Sequence, residues 1–198
     1  MQNFYNISLK MNRYFNAAEQ CNNDTYVVDY SELTMQERGV EIMHEVPNDI
    51  HAFHLSNPNH HPYWAINLEK NPALFRGEAN CECMFTSIRN DHGTKKWALF
   101  VELKYCKEKN IRDNSEYAIH QLTNTQRIIR DHGYIDEHYK IFLNISIPDH
   151  SHKEPFTSFI WTPDYIKQMQ NQWGVIILGY NQVIILTPTN IKLPREEI

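Results

Sequence analysis

The feature that most constrains the fold is a strand–helix–strand succession between residues 80 and 147. Residues 96–106 form a strongly apolar run, which is typical of a buried strand. Residues 115–131 carry apolar side chains at helical spacing, and residues 139–147 alternate apolar and polar side chains. A strand, a helix and a second strand normally make a right-handed parallel crossover. The sequence therefore predicts an α/β protein with a mixed central sheet flanked by helices.

A second strand is predicted at residues 81–88, just before the turn signal Asn90-Asp91-His92-Gly93. Because that turn leads directly into residues 96–106, the two runs should form an antiparallel hairpin. At the helix end near Asp131, Gly133 stands where a left-handed cap is common. Residues 80–147 are thus expected to form the core of the molecule.

Other segments predict elements around this core. Thr34 and Glu37 form a capping box, and the apolar spacing that follows predicts a helix over residues 32–46. Residues 47–80 are rich in turn residues and carry no assignable element; they could be a lid or a partner-binding insertion. Thr162-Pro163-Asp164 should begin a helix that ends near Gly174. Two apolar runs, 175–178 and 183–186, then predict a hairpin.

The length and composition indicate a single domain spanning residues 1–198. The core would be residues 80–147, with a helical part at 32–79 and a helix plus hairpin at 162–187 as elaborations. The chain is 41% hydrophobic and 22% charged, which is ordinary for globular proteins. A net charge of −5 argues against coating nucleic acid by bulk charge. With no apolar run of about 18 residues and no secretion signal at its start, we expect a cytoplasmic protein without membrane contact.

Charged residues interrupt the apolar strand at Glu102 and Lys104. Strand side chains alternate, so these two share one face about 6.6 Å apart. The preceding strand carries Glu82, which the hairpin can bring alongside them. Buried charges are costly unless they pair with each other, with a metal or with water. Two neighbouring carboxylates suit a hard divalent cation, Mg²⁺ or Mn²⁺.

An acid near the end of one strand, then Glu-x-Lys in the next strand and a helix, resembles the PD-(D/E)xK nucleases. Glu82 stands at the first acidic position, where most members have an aspartate, and Glu102 and Lys104 supply Glu-x-Lys. Gln121 is similar to a glutamine that several branches place facing the site. The resemblance covers about a third of the chain and implies a restriction-endonuclease-like core.

The resemblance also implies roles for these residues. Glu82, Glu102 and the backbone carbonyl of Leu103 would bind the Mg²⁺ or Mn²⁺ ion, and Lys104 would position a water or stabilise charge on the phosphate. The chain would then be an endonuclease-like hydrolase of phosphodiester bonds in nucleic acid, with DNA as the expected substrate. Since many duplex-cutting members dimerise, a homodimer is an open alternative.

Several alternatives remain open at this point. Glu102 and Lys104 could be an ion pair on an exposed sheet face. The fold could be catalytically inactive and bind nucleic acid or protein. Cys81, Cys83 and Cys106 could form a zinc site with one histidine. However, alternation predicts that the thiols of Cys81 and Cys83 both point to the face opposite Glu82, where core packing explains them. Basic residues around the strand could hold a nucleic-acid backbone or simply be solvated: Lys95, Lys96, Lys107, Lys109 and Arg112.

Overall fold

The structure is a computed structural model that describes residues 15–31, 39–88, 95–150 and 163–193. It is a mixed α/β fold containing two mixed sheets. The strands in chain order are β1 (Ala18–Cys21), β2 (Thr25–Asp29), β3 (Val40–Met43), β4 (Phe53–Ser56), β5 (Tyr63–Asn67), β6 (Cys83–Ser87), β7 (Lys96–Leu103), β8 (Tyr139–Ser146), β9 (Val175–Leu178), β10 (Gln182–Thr187) and β11 (Asn190–Lys192). The helices are α1 (Pro72–Phe75), α2 (Ile111–Asp131) and α3 (Pro163–Trp173), with a short 3-10 helix at Glu108–Asn110.

The larger sheet has six strands in the order β1-β5-β6-β7-β8-β9. Strands β6 and β7 are antiparallel, as the sequence predicts, and β8 lies parallel to β7 after the crossover through α2. Helix α2 begins at Ile111, a few residues before its predicted start, and Gly133 takes the expected positive φ of 74° beyond its end. The turn predicted at residues 90–93 lies outside the described residues.

The smaller sheet has five strands in the order β11-β10-β4-β2-β3. It packs against one face of the larger sheet, and the helices α2 and α3 pack against the other. Alternation along the strands decides which side chains enter which layer. Met84 and Phe100 join the core beneath the helices, whereas Phe85 and Leu99 join the core between the two sheets. All four are fully buried, and burying each stabilises the fold by about 1.5–3 kcal/mol.

The helix predicted over residues 32–46 is wrong in its described part. Val40–Met43 is the strand β3, which pairs antiparallel with β2 through Val28 and Glu41. Val46, expected on the buried stripe, is 70% exposed. The spacing of Ile42, Met43 and Val46 fits a helix, whereas the alternation of Val40 with Ile42 fits a strand, and pairing with β2 decides between them. The capping box at Thr34 and Glu37 lies outside the described residues.

Residues 47–80 are not a lid or an insertion. They contain β4, β5 and α1, and β5 lies between β1 and β6 in the larger sheet. All five residues of β5 are buried because helices and a second sheet cover its two faces. The sequence of β5, Tyr-Trp-Ala-Ile-Asn, accordingly does not alternate between apolar and polar residues. The predicted helical part at 32–79 therefore contains three strands and one short helix where it is described.

The predicted C-terminal hairpin is also wrong. Strand β9 pairs parallel with β8 in the larger sheet, and β10 pairs parallel with β4 in the smaller one. The chain changes sheet between them, at residues 179–181. Asn144 fixes this crossing, because its side chain hydrogen-bonds both the carbonyl and the N–H of Tyr180. The helix predicted before it is confirmed as α3, and Gly174 follows it with a φ of 65°.

Within the described ranges, no helix combines the length and the apolar character that spanning a membrane requires.

Candidate functional site

Glu82, Glu102 and Lys104 lie at one end of the β6–β7 hairpin. The ladder between these strands ends at the pair Cys83–Val101, so Glu82 and Glu102 are the next positions on each chain. Glu102 has the same parity as Phe100, whose side chain packs under the helices. The three charged side chains therefore belong to the helix-facing side of the larger sheet, while Leu103 packs into the core between the sheets.

Hydrogen bonds and an ion pair connect these residues. Lys104 Nζ lies 2.7 Å from Glu102 Oε1. The N–H of Leu103 donates to Glu82 Oε2 at 2.8 Å, so the Glu82 side chain continues the hairpin where the backbone ladder stops. Glu82, Glu102 and Lys104 are only 8%, 0% and 5% exposed. An ion pair on an exposed sheet face is thus excluded, because the pair is buried.

The surroundings favour the protonated form of Glu82. Burial raises the pKa of Glu82 well above its usual range, and the neighbouring Glu102 carboxylate raises it further. The Lys104 ammonium and the Leu103 N–H act in the opposite direction but do not cancel this rise. Two carboxylates therefore share a nearly dry site with one compensating cation.

Helix α2 covers this end of the sheet. The Tyr117 ring lies with its centroid 5.5 Å from Lys104 Nζ, within the range of a cation–π contact. Tyr117 is nevertheless 56% exposed, so it links the buried site to the surface. One turn further along the same helix, Gln121 has a buried Oε1 atom with no hydrogen-bond partner in the described part of the chain.

A row of polar side chains on α2 holds the backbone just ahead of Glu82. Thr125 Oγ1 accepts the N–H of Cys81 at 2.8 Å, and Gln121 Nε2 donates to the carbonyl of Asn80 at 3.0 Å. Asn124 Nδ2 donates to the carbonyl of Ala79 at 2.8 Å. Among the described residues, the segment 79–81 belongs to no strand, and these three bonds attach it to α2 just before Glu82.

The structure brings Glu82, Glu102, Lys104 and the Leu103 backbone together. The remaining predicted site residue, Gln121, uses its side-chain N–H to hydrogen-bond the carbonyl of Asn80. Leu103 contributes its N–H to the site, a contact that the sequence does not indicate. Sequence reasoning also missed Tyr117 and Thr125. Their spacing from Gln121, four residues on either side, would have placed all three on one helix face.

The basic residues do not form one cluster. Lys96 begins β7 and contacts the Tyr139 ring, about 23 Å along the strand from Leu103 at about 3.3 Å per residue. Lys107, Lys109 and Arg112 are exposed and follow the strand at the Lys104 end. Only these last three, among the basic residues that the sequence singles out, lie close in the chain to the buried charges.

Among the described residues, Cys81, Cys83 and Cys106 do not assemble a zinc site either. Cys83 packs into the core between the sheets, as its alternation predicts, whereas Cys81 packs beneath the helices. The prediction that both thiols point away from the helices fails for Cys81, because β6 begins only at Cys83 and strict alternation does not extend before it.

Comparison with family models, with curated proteins and with solved structures returns no match. The fold and the site define the class only coarsely: a mixed α/β protein that buries two glutamates and a lysine under a helix. What this site does has to be argued from its chemistry.

Proposed function

We propose that the chain is a metal-dependent nuclease with a restriction-endonuclease-like core made of β6, β7, α2 and β8. The observation that carries the proposal is the burial of two carboxylates and a lysine together at the end of the hairpin. A structural role alone does not require a second buried carboxylate, since Glu102 and Lys104 already form an ion pair. Glu82 adds a second buried carboxyl group, whose ionisation burial penalises.

The donor set fits a hard divalent cation. The carboxylates of Glu82 and Glu102 would hold Mg²⁺ or Mn²⁺, with the carbonyl of Leu103 as a third ligand. When bound, the ion would polarise a phosphodiester and make an attacking water more acidic. The raised pKa of Glu82 fits this assignment, because a cation relieves the repulsion that its ionisation creates.

Lys104 supplies a positive charge beside these carboxylates. Its ammonium would stabilise negative charge that develops on the phosphate during hydrolysis. Glu102 is fully buried, so the substrate would approach where Lys104 and Glu82 keep their residual exposure, beside Tyr117. The exposed Lys107, Lys109 and Arg112 would contact neighbouring phosphates and position the strand.

The test is cleavage of a panel of DNA and RNA substrates, single- and double-stranded, with Mg²⁺, Mn²⁺ or EDTA. We expect cleavage that requires the metal and falls at least about 100-fold in Lys104→Ala and in Glu102→Gln, the range for removing one electrostatic contact to the transition state. Glu108→Gln is the matched control, since Glu108 is exposed and near in sequence. Folding of each variant is verified by circular dichroism.

A second candidate is an inactive nuclease-like fold that binds nucleic acid or protein. It is favoured by the internal pairing of the site, since Glu102 contacts Lys104 and Glu82 accepts a backbone N–H. No cleavage with either ion, together with nucleic-acid binding that is unaffected by Glu102→Gln, would support this candidate over the nuclease. A homodimer and a preference for DNA are further parts of the proposal, which the same panel and the molecular mass in solution would test.

A further inference from the structure

A second group of side chains that could bind a metal ion lies on β1 and beside β3, away from the residues of the proposed nuclease site. Glu19 and Cys21 share one face of β1, and His44 directly follows β3. Within the described ranges this is the one trio of histidine, cysteine and acidic residues whose ligand atoms all lie within 4.8 Å of one another. His44 Nε2 lies 3.5 Å from Glu19 Oε1.

The trio joins the two sheets. Strand β1 is an edge strand of the six-stranded sheet, and β3 is an edge strand of the five-stranded sheet. Cys21 is only 7% exposed and packs in the core between the sheets. The side chains of Glu19 and His44 are 46% and 48% exposed. The group therefore has a buried sulfur at its base and two ligands that are open to solvent.

The chemistry of these ligands differs from that of the nuclease site. A thiolate, an imidazole and a carboxylate are the ligand types of Zn²⁺, whereas Mg²⁺ prefers oxygen alone. Three protein ligands leave a fourth tetrahedral position for water. A thiolate, a carboxylate and a neutral imidazole also balance the charge of a divalent ion.

We propose that Glu19, Cys21 and His44 bind Zn²⁺ and thereby join the edges of the two sheets. Glu19 supplies a carboxylate oxygen, Cys21 its sulfur and His44 its Nε2 atom. On binding, the Cys21 thiol releases its proton to solvent, and the bound form is the thiolate. The site is independent of the proposed nuclease activity and uses none of its residues.

The test is titration of metal-free protein with Co²⁺, a spectroscopic substitute for Zn²⁺. We expect a thiolate-to-cobalt charge-transfer band in the near ultraviolet that saturates at one equivalent and disappears when Zn²⁺ is added. The band should be lost in Cys21→Ser. In His44→Ala, the affinity of the protein for Co²⁺ should fall at least about tenfold. His44 is exposed, so this second variant keeps the test valid if replacing the buried cysteine disturbs folding.

Two controls separate this site from the other thiols and from the nuclease site. Cys106→Ser should keep the band, since Cys106 is the one half-buried cysteine and does not belong to the trio. Glu102→Gln should also keep it, whatever happens to nuclease activity. The proposal is overturned if the wild-type protein gives no band with excess Co²⁺, or if the band persists in folded Cys21→Ser or with unchanged affinity in His44→Ala. Either result would leave Glu19 and His44 as a surface ion pair above a core cysteine.

Discussion

The burial of Lys104 against Glu102 makes each residue depend on the other. Their charged atoms lie 2.7 Å apart with almost no exposure to water. Removing one member of such a pair leaves an uncompensated buried charge, whereas removing both charges leaves none. Replacing one residue of the pair is thus expected to lower the free energy of unfolding strongly, whereas replacing both should lower it little.

Replacing Lys104 alone tests this dependence. We expect Lys104→Met to lower the free energy of unfolding by about 3–5 kcal/mol, since Glu82 and Glu102 then face each other without a cation. The double variant Lys104→Met with Glu102→Gln should recover most of the loss. Urea denaturation of the two variants and the wild type measures both values. Equal destabilisation in the single and double variants would show that the charges are not coupled.

The raised pKa of Glu82 predicts a pH dependence for the metal-free protein. The folded state holds the Glu82 proton more tightly than the unfolded state, whose carboxyl titrates near 4.5. The contribution of Glu82 to stability is therefore full below that pH and is lost as the pH rises toward the folded pKa. In EDTA we expect Glu82→Gln to flatten the decline in stability that begins as the pH rises above the unfolded-state pKa, by at most about 1.4 kcal/mol per pH unit. Parallel stability curves for the variant and the wild type would contradict the assignment.

The sequence predicts on which face of a strand a side chain lies, because strand side chains alternate. Glu102 and Lys104 interrupt a long apolar run, so their common face follows from strand geometry. The contacts of Gln121 and Tyr117 could not be predicted in this way. They depend on the angle at which α2 crosses the sheet, and that angle follows from tertiary packing.

Among the elements, α2 has two roles, because it covers the hairpin and holds the segment before it. Its apolar side includes Ala118 and Leu122, which are fully buried beneath the sheet. Its polar row, Gln121, Asn124 and Thr125, hydrogen-bonds the backbone at 79–81. The position of Glu82 therefore depends on a helix more than 30 residues later in the chain.

Thr125→Val removes one of these bonds while keeping the shape of the side chain. The N–H of Cys81 is then buried without a partner, and we expect a loss of about 1–3 kcal/mol in the free energy of unfolding. Amide hydrogen exchange at Cys81 should accelerate as well. Thr123→Val is the matched control on the same helix and should have a smaller effect on both. Unchanged exchange at Cys81 in Thr125→Val would show that the bond does not fix this segment.

Elements with strong local patterns were predicted, and elements that depend on distant partners were not. The hairpin, α2 and β8 occupy one continuous stretch, and each has a distinct periodicity. The residues of β3 predict a helix because Ile42, Met43 and Val46 follow helical spacing, and only pairing with β2 makes this segment a strand. The last two apolar runs were mistaken for a hairpin, since nothing local shows that β10 pairs with β4.

The whole molecule has three layers, with the helices, the six-stranded sheet and the five-stranded sheet stacked in that order. The smaller sheet combines strands from both ends of the described chain, because β10 lies beside β4. Asn181 stabilises this crossing by accepting the Ile147 N–H at 2.8 Å and donating to the carbonyls of Ile147 and His150. The helices cover one face of β7 and the five-stranded sheet covers the other. Because both faces are covered, burying the charges at the end of β7 costs free energy.

The most direct test of the proposed site is the shift in melting temperature caused by Mg²⁺ and Mn²⁺. An ion that binds only the folded state adds about 2.7 kcal/mol of stability at a hundredfold excess over its Kd. We expect this stabilisation in the wild type and in the control Glu108→Gln, and its loss in Glu82→Gln and Glu102→Gln. If neither ion stabilises the wild type, or if the four proteins respond equally, Glu82 and Glu102 do not form a metal site and the nuclease proposal fails.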